Sequence, residues 1–256
     1  MTELPAAFCH VPLAHRALHD ARARRPENSR AAIEAAIAAG YGVEIDLQAS
    51  ADGVAMVFHD AALDRLTGET GPVQGRDAAA LGKIPLKEGD GEGIPGFQEV
   101  LKLVAGQVPL LVELKDQHGA MGETDGQLER AAVATAAGYR GPIAMMSFNP
   151  HMVIRLASLA PGLPRGLTTC AWRRANWPRL SGRTRRHLRD IPDFEASDAC
   201  FISHEAGDLD RRRVLQLRAA GVPVLCWTVR SARAEIRARR VACNVTFEGY
   251  QPAIPS

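Results

Sequence analysis

The chain lacks the features that would place it in a membrane, outside the cell or on a nucleic acid. No window approaches the roughly 18 uncharged apolar residues of a membrane-spanning helix. The N-terminus has neither a basic start nor a long apolar stretch, which argues against a secretory signal. The formal net charge is only +2 over 256 residues, so the total charge does not indicate nucleic-acid binding.

Cysteine and lysine are also scarce. The five cysteines are odd in number and form no Cys-x-x-Cys pair, so zinc or redox chemistry is not indicated, and a reducing cytoplasm is the simplest location. Only four of the 31 basic residues are lysines. A lysine inside an apolar run, as at Lys115, therefore calls for a specific explanation.

Short apolar runs alternate with longer amphipathic segments along the whole chain. One such helical pattern begins at Asn28 or Ser29, either of which is a good N-cap, and ends at Gly40. Alternation of this kind predicts parallel βαβ units. The runs that we predict as strands are 11–14, 43–47, 54–58, 110–114, 143–146, 166–169, 200–203, 224–229 and 243–247. The least regular region, 68–95, is predicted as loops.

The third run is too close to the second for a parallel crossover. Only six residues separate them, and the Asp52-Gly53 pair among these is a hairpin signal. We therefore predict an α/β fold, a (β/α)₈ TIM barrel with an antiparallel hairpin extension after the second strand. A two-residue turn at Asp52-Gly53 would place His59 opposite Asp46, on the face that also carries Glu44.

Acidic side chains occupy two of the predicted barrel strands. Glu44 and Asp46 alternate with apolar residues in one strand, and Glu113 and Lys115 do the same in the next barrel strand. Three carboxylates without nearby histidine or cysteine ligands predict an oxygen site for Mg²⁺ or Ca²⁺. The alternative is an ion-pair network of Glu113 and Lys115 with Arg16.

Two histidines follow strands at the catalytic end of the predicted barrel. His15 and Arg16 end the first strand, and His59 ends the hairpin. Such a pair could act as general acid and general base at a P–O bond. Arg16 could hold a phosphoryl group bidentately, and Lys115 could bind it as a point charge. The other six histidines are assigned no catalytic role.

These residues stand in motifs that resemble one known family. "AHRALHDARARRPENS", "VEIDLQASADGVAMVFHDAALDRLTG", "IPGFQEVL", "LLVELKD", "MSFNP", "CWTV" and "NVTFEG" resemble, in order, the glycerophosphodiester phosphodiesterases. The resemblance covers nearly the whole chain, so one domain is expected over 1–256. It implies a (β/α)₈ barrel with His15 and His59 as the acid–base pair, Glu44, Asp46 and Glu113 as metal ligands, and Arg16 and Lys115 as phosphate contacts.

The resemblance implies metal-dependent hydrolysis of small glycerophosphodiesters to sn-glycerol 3-phosphate and an alcohol. Two other functions stay open: a phospholipase D-like enzyme acting on lysophospholipids or sphingolipids, and a catalytically inactive binding barrel. The sequence departs from the family at Ala17, where glycine is usual and where a methyl could crowd the phosphate. It also has Phe247-Glu248 where the closing strand more often ends in Thr-Asp, so no role is transferred to Glu248.

Several other residues have two interpretations. Trp227 could form an aromatic wall for the leaving group or simply pack in the barrel. Glu27 and Asn28 could orient the site or cap the first long helix. Asp64 and Arg65 are predicted to form a surface ion pair.

The segment 172–189 carries seven arginines and two tryptophans. It could be a solvated helical face, a lid that attracts an anionic substrate, or a surface for transient membrane contact without insertion. Nucleic-acid binding is not expected, because no binding motif accompanies the arginines.

Overall fold

The computed structural model describes residues 2–255, and its strands form a closed parallel barrel. Eight strands close the barrel because the short β1 pairs in parallel with both β2 and β9. Each of the nine predicted runs overlaps a strand. The strands are β1 Leu13–Ala14, β2 Gly42–Ala49, β3 Ala55–Val57, β4 Leu110–Leu114, β5 Ile143–Ser147, β6 Arg165–Thr169, β7 Phe201–Glu205, β8 Val224–Val229 and β9 Asn244–Phe247.

Helices surround the barrel, and most of the longer connections contain one. Side chains of Ser29, Asn149, Ser181 and Ser231 cap helices by accepting backbone N–H groups. Within 2–255, no helix combines the length and apolar character that crossing a bilayer would require. The helices are α1 Ala7–His10, α2 Arg30–Ala38, α3 Ala78–Leu81, α4 Phe97–Val104, α5 Gln127–Ala136, α6 Pro150–Leu159, α7 Gly182–Arg189, α8 Arg212–Ala219 and α9 Ala232–Ala238.

The barrel interior is apolar at its floor and polar at the carboxyl ends of the strands. Phe8, Leu13, Leu111 and Phe201 belong to the apolar cluster at the floor. Gly166 is required there, because a Cβ at this position would lie 2.5 Å from the Phe201 ring. The charged side chains of β2 and β4 lie nearer the carboxyl ends, which is where a (β/α)₈ barrel carries its chemistry.

The strand β3 runs antiparallel to β2, but the predicted register is wrong by one residue. Asp46 lies opposite Phe58, whose N–H donates to the Asp46 carbonyl over 2.9 Å, and not opposite His59. The turn is longer than predicted: Ser50 pairs with Val54 around three residues instead of two. The paired residues in the strands are Leu47 with Val57, Gln48 with Met56 and Ala49 with Ala55.

The longer turn has a local cause. Gly53 takes up the left-handed region at φ 80°, as the last residue of a three-residue hairpin loop does. The Ser50 hydroxyl donates to Asp52 and accepts from the Val54 N–H, which holds the loop together. Because Asp-Gly suits both two-residue and three-residue loops, the dipeptide alone did not decide the register.

The region 68–95 is mostly loops, as predicted, but it has a small core of its own. Ile84, Leu86 and Ile94 pack with Met56 and Phe58 of the hairpin in a separate apolar cluster. The region also contains the short helix α3, which the sequence pattern did not predict. The hairpin therefore has apolar neighbours on the side that faces away from the main core.

Candidate active site

Seven of the eight predicted site residues line one cavity at the carboxyl ends of the strands. The cavity has a volume of about 310 Å³. The predicted residues that line it are His15, Arg16, Glu44, His59, Glu113, Lys115 and Trp227. The eighth, Asp46, is only 1% exposed and shares the β2 face of Glu44.

His59 reaches this cavity by a route that the sequence argument did not foresee. The strand β3 ends at Val57, so strand alternation no longer determines where the His59 side chain points. Gln48 donates to the His59 carbonyl over 3.1 Å and holds the backbone at that point. The predicted cross-strand pairing of His59 with Asp46 is therefore wrong. His59 nevertheless lines the cavity with the acids.

The three carboxylates converge as the spacing predicted. Glu44, Asp46 and Glu113 each offer an oxygen atom, and these atoms lie within 4.8 Å of one another. Asp46 and Glu113 are direct neighbours in the parallel pairing of β2 with β4, which brings the two strands' acids together. All three side chains are buried.

Two basic side chains offset part of this negative charge. The Lys115 Nζ atom lies 2.6 Å from Asp46 Oδ1 and 2.5 Å from Glu113 Oε1. The Arg16 Nε atom lies 3.6 Å from Asp46 Oδ2, while its Nη1 atom bonds to Glu27 at 3.0 Å. An ion-pair network is therefore present. Lys115 pairs with Asp46 and Glu113, and Arg16 divides between Asp46 and Glu27.

Glu44 is the carboxylate that this network leaves without a cation. Among residues 2–255 no basic side chain forms an ion pair with Glu44, which accepts the Arg16 backbone N–H over 2.8 Å. Burial, and then the charges of Asp46 and Glu113, raise the pKa of Glu44 well above its usual value. Burial also opposes ionisation of Asp46, but Lys115, His59 and Arg16 together outweigh it and hold the pKa of Asp46 below its usual range.

The donor set fits a hard divalent cation. All three side chains offer carboxylate oxygens, which Mg²⁺ and Ca²⁺ prefer. Burial and carboxylate repulsion both raise the pKa of Glu44, and a divalent charge placed among the three acids would remove the repulsion. The chemistry of these residues is therefore compatible with the metal that the sequence pattern predicts.

His15 is oriented by a carboxylate to which the sequence assigned no role. Its Nδ1 atom lies 3.0 Å from Glu248 Oε2. The hydrogen bond from His15 lowers the pKa of Glu248 to about 2, so this carboxylate is ionised. Burial lowers the pKa of His15 against the opposing effect of Glu248. The available signal was position: Glu248 directly follows β9, at the carboxyl end of the barrel where the chemistry lies.

His59 is held in the same way by Asp60. The His59 Nδ1 atom lies 2.6 Å from Asp60 Oδ1, and Arg65 Nε lies 2.6 Å from Asp60 Oδ2. Arg65 also donates to Glu27 over 2.8 Å. The predicted Asp64–Arg65 pair is wrong, because Asp64 instead accepts the Gly71 N–H. Glu27 and Arg65 are 38 residues apart, so the sequence pattern did not predict this network.

The loop between β1 and α2 supports the acids. Asn28 donates to Asp46 Oδ2 over 2.9 Å and accepts the Asp46 N–H over 3.2 Å, so it orients the carboxylate. Ser29 caps α2.

Ala17, in the same loop, has φ 65°, a region that favours glycine. Its methyl belongs to the main apolar core and does not line the cavity, so crowding of a phosphate is not indicated.

A second cavity, of about 710 Å³, adjoins the first and shares His59, Glu113 and Lys115 with it. Trp227 lines both cavities and packs against Phe148 with ring centres 5.3 Å apart, while its Nε1 donates to the Ser203 carbonyl. We call this second cavity the aromatic groove. Its apolar lining is formed by Met121, Phe148, Cys170, Trp177 and Trp227.

Comparison of sequences connects this geometry to one family. A profile described as the glycerophosphoryl diester phosphodiesterase family matches residues 15–245. YhdW of Bacillus subtilis (strain 168), which is named as a glycerophosphodiester phosphodiesterase, is 28% identical over 233 residues. The match covers 88% of this chain and 89% of YhdW. The glycerophosphodiester phosphodiesterase of Caldanaerobacter subterraneus subsp. tengcongensis is 29% identical over 148 residues, or 56% of this chain and 60% of that protein.

Solved structures share the fold at lower sequence identity. An Oleispira antarctica phosphodiesterase, solved in complex with the product sn-glycerol-3-phosphate, superposes with a TM-score of 0.74 at 24% identity, covering 92% of this chain and 91% of that one. A glycerophosphodiester phosphodiesterase from Agrobacterium tumefaciens str. C58 gives a TM-score of 0.65 at 22% identity, with 96% of each chain covered. The (β/α)₈ barrel is thereby confirmed.

Proposed function

The chain belongs to the glycerophosphoryl diester phosphodiesterase family, and from this premise we propose that it hydrolyses glycerophosphodiesters to sn-glycerol 3-phosphate and an alcohol. The observation that carries the proposal is that two carboxylate-anchored histidines line the same cavity as Glu44 and Glu113, whose carboxylates converge with that of the buried Asp46. The product found with the Oleispira antarctica protein agrees with this substrate class.

The basic residues of the cavity would bind the phosphoryl group. Arg16 and Lys115 line the same cavity as both histidines, and their positive charges would stabilise the charge that develops on the phosphoryl oxygens. Glu44, Asp46 and Glu113 would hold Mg²⁺ or Ca²⁺, which would add Lewis-acid stabilisation of the same oxygens.

The histidines would exchange protons through their Nε2 atoms. A carboxylate only accepts hydrogen bonds, so the Nδ1 atom of each ring carries a proton and Nε2 is left for the substrate. Because burial lowers the pKa of His15, we assign it as the base that takes the proton of the attacking hydroxyl. His59 would act in its doubly protonated form and give its Nε2 proton to the leaving alkoxide as the P–O bond breaks.

The attacking hydroxyl can belong to water or to the substrate. Attack by water would yield sn-glycerol 3-phosphate in one step. Attack by the neighbouring glycerol hydroxyl would release the alcohol first and leave a cyclic phosphate, which water then opens. Detection of a transient cyclic phosphate by ³¹P NMR during turnover would identify the second route.

A substrate panel tests the proposal. Glycerophosphodiesters with choline, ethanolamine, glycerol and inositol headgroups are incubated with the protein plus Mg²⁺, Ca²⁺ or EDTA, and sn-glycerol 3-phosphate is measured by a coupled dehydrogenase. We expect release that requires the metal and is lost in Glu44→Gln, which keeps the side-chain shape. Full activity in EDTA after dialysis would favour the ion-pair network, and no release from any headgroup would favour an inactive binding barrel.

The aromatic groove favours a second candidate, hydrolysis of lysophospholipids or sphingolipids. These substrates share the phosphodiester but carry an acyl chain, and the groove offers an apolar wall that adjoins the catalytic cavity. Choline release from lysophosphatidylcholine is compared with release from glycerophosphocholine in the wild type and in Trp177→Ala. If the lipid is the substrate, Trp177→Ala should raise KM for lysophosphatidylcholine and leave KM for glycerophosphocholine unchanged.

A further inference from the structure

The segment that follows β6 carries positive charge that is mostly unpaired within residues 2–255. Residues 173–189 contain seven arginines and no acidic residue. Arg173 alone has an acidic partner, Glu205, at 3.1 Å. For the other six, no carboxylate among residues 2–255 lies within 4.0 Å. These six, which we call the arginine face, are the exposed Arg174, Arg179, Arg183 and Arg186 and the half-buried Arg185 and Arg189.

The arginine face is held in place by an apolar underside. Leu180 and Leu188 are buried in a cluster with Trp172, which is only 1% exposed. Ser181 caps α7, and Arg189 donates to the Ala171 carbonyl over 3.0 Å. The segment is therefore tied to the barrel, and the exposed side chains of α7 occupy a defined place.

This face lies beside the mouth of the catalytic cavity. The segment begins where β6 ends, at the catalytic end of the barrel. Its Trp177 lines the aromatic groove, and the Glu205 that binds Arg173 lines both the groove and the catalytic cavity. A surface bound by the arginine face would therefore lie next to the entrance through which a substrate reaches His59 and Lys115.

The charge is local, since the whole chain carries a formal net charge of only +2. Concentrated charge of one sign on one face attracts an extended anionic partner in a fixed orientation.

We propose that the arginine face docks on an anionic phospholipid bilayer. Guanidinium groups bind phosphates bidentately, and basic side chains beside an anionic bilayer are attracted to its surface. A nucleic acid would need aromatic rings for base stacking. Here Trp172 and Trp177 pack on Phe148, with ring centres 5.7 Å and 5.1 Å away, which favours the bilayer.

Vesicle binding tests this docking without relying on turnover. The protein is sedimented with vesicles of phosphatidylcholine alone or of phosphatidylcholine with phosphatidylglycerol. Each basic residue near an anionic surface contributes a factor of roughly five to binding, so Arg183→Gln/Arg186→Gln should bind the anionic vesicles about 30-fold more weakly. Raising the salt concentration should weaken wild-type binding, because salt screens exposed charges.

The matched control is Arg233→Gln/Arg237→Gln on α9. These two arginines are also exposed, lack acidic partners among the described residues, and account for the same change in net charge. We expect the control to bind like the wild type. Equal weakening of both double variants, or wild-type binding that does not depend on phosphatidylglycerol, would overturn the docking proposal. So would tighter binding to a single-stranded oligonucleotide than to anionic vesicles.

Two further readings separate docking from folding and from catalysis. Thermal unfolding of Arg183→Gln/Arg186→Gln should match the wild type; if it does not, the single variants replace it, each with an expected loss of about five-fold. Hydrolysis of soluble glycerophosphocholine, where the protein shows it, should be unchanged in the double variant. Unchanged vesicle binding in all of these variants would also overturn the proposal.

Discussion

At the scale of single residues, the site consists of two histidines that are each fixed through Nδ1. Glu248 holds His15, and Asp60 holds His59. The two carboxylates are supported differently, since Arg230 lies 3.1 Å from Glu248 while Arg65 binds both Asp60 and Glu27. Each ring thus has its orientation and tautomer set by a neighbouring carboxylate.

Removing the charge of Glu248 should identify the role of His15. Glu248 raises the pKa of His15 against the effect of burial, so Glu248→Gln should lower that pKa further. The limb of the kcat/KM pH profile that reports His15 then moves to lower pH. A shift of the acidic limb identifies His15 as the base, and a shift of the basic limb identifies it as the acid.

The size of the effect provides a second check on this variant. Glu248→Gln should reduce kcat by less than the roughly 10²–10⁴-fold expected for His15→Ala or His59→Ala, because the imidazole itself remains. Asp60→Asn serves as the companion variant and should act through His59. A profile in which neither limb moves in Glu248→Gln would exclude His15 as the titrating group.

At the scale of elements, the loop from β1 to α2 shapes the site more than its length suggests. Arg16, Ala17 and Asn28 all lie in the left-handed region, with φ of 52°, 65° and 60°. This conformation costs a residue other than glycine about 1–2 kcal/mol. The two hydrogen bonds of Asn28 with Asp46 offset part of that strain.

Two substitutions at Asn28 should separate its backbone role from its side-chain role. Asn28→Gly and Asn28→Ala both remove the bonds to Asp46, so both should weaken metal binding about 10–100-fold in calorimetric titration. Asn28→Ala should be less stable than Asn28→Gly by about 1 kcal/mol, because alanine resists positive φ. For a chain of this size that difference is about 2–4 °C in Tm. Equal Tm values, or an unchanged metal affinity, would contradict this assignment.

At the scale of the whole molecule, the barrel confines its charge to one end. The floor is apolar, and the buried carboxylates lie above it with more negative charge than Lys115 and Arg16 offset. The folded state therefore carries an electrostatic cost that a bound cation would relieve. The cytoplasmic location and the single domain over 1–256 stay predictions.

This cost should appear in the pH dependence of stability without metal. The folded chain raises the pKa of Glu44, so it binds that proton more tightly than the unfolded chain does. In EDTA the contribution of Glu44 should therefore destabilise the fold increasingly as the pH rises above its usual pKa of 4.5. Urea unfolding of the wild type and of Glu44→Gln across this range isolates the effect, because other titrating groups are common to both.

Metal provides the complementary measurement. Saturation with Mg²⁺ or Ca²⁺ at about 100 times Kd should stabilise the wild type by about 2.7 kcal/mol. Glu44→Gln should gain less. Parallel pH curves for the two proteins in EDTA, together with equal gains from metal, would show that Glu44 is neither strained nor a ligand.

The sequence alone determined the positions of the strands and the residues at their carboxyl ends, because side-chain alternation and strand–helix spacing are local properties of the chain. It thereby located His15, Glu44, Asp46, Glu113 and Lys115. The register of the hairpin was not determined locally, since Asp-Gly fits loops of two or three residues. Only the tertiary structure paired His15 with Glu248, 233 residues away, and joined Glu27 to Arg65. Such contacts depend on closure of the barrel, which brings the first and last strands side by side.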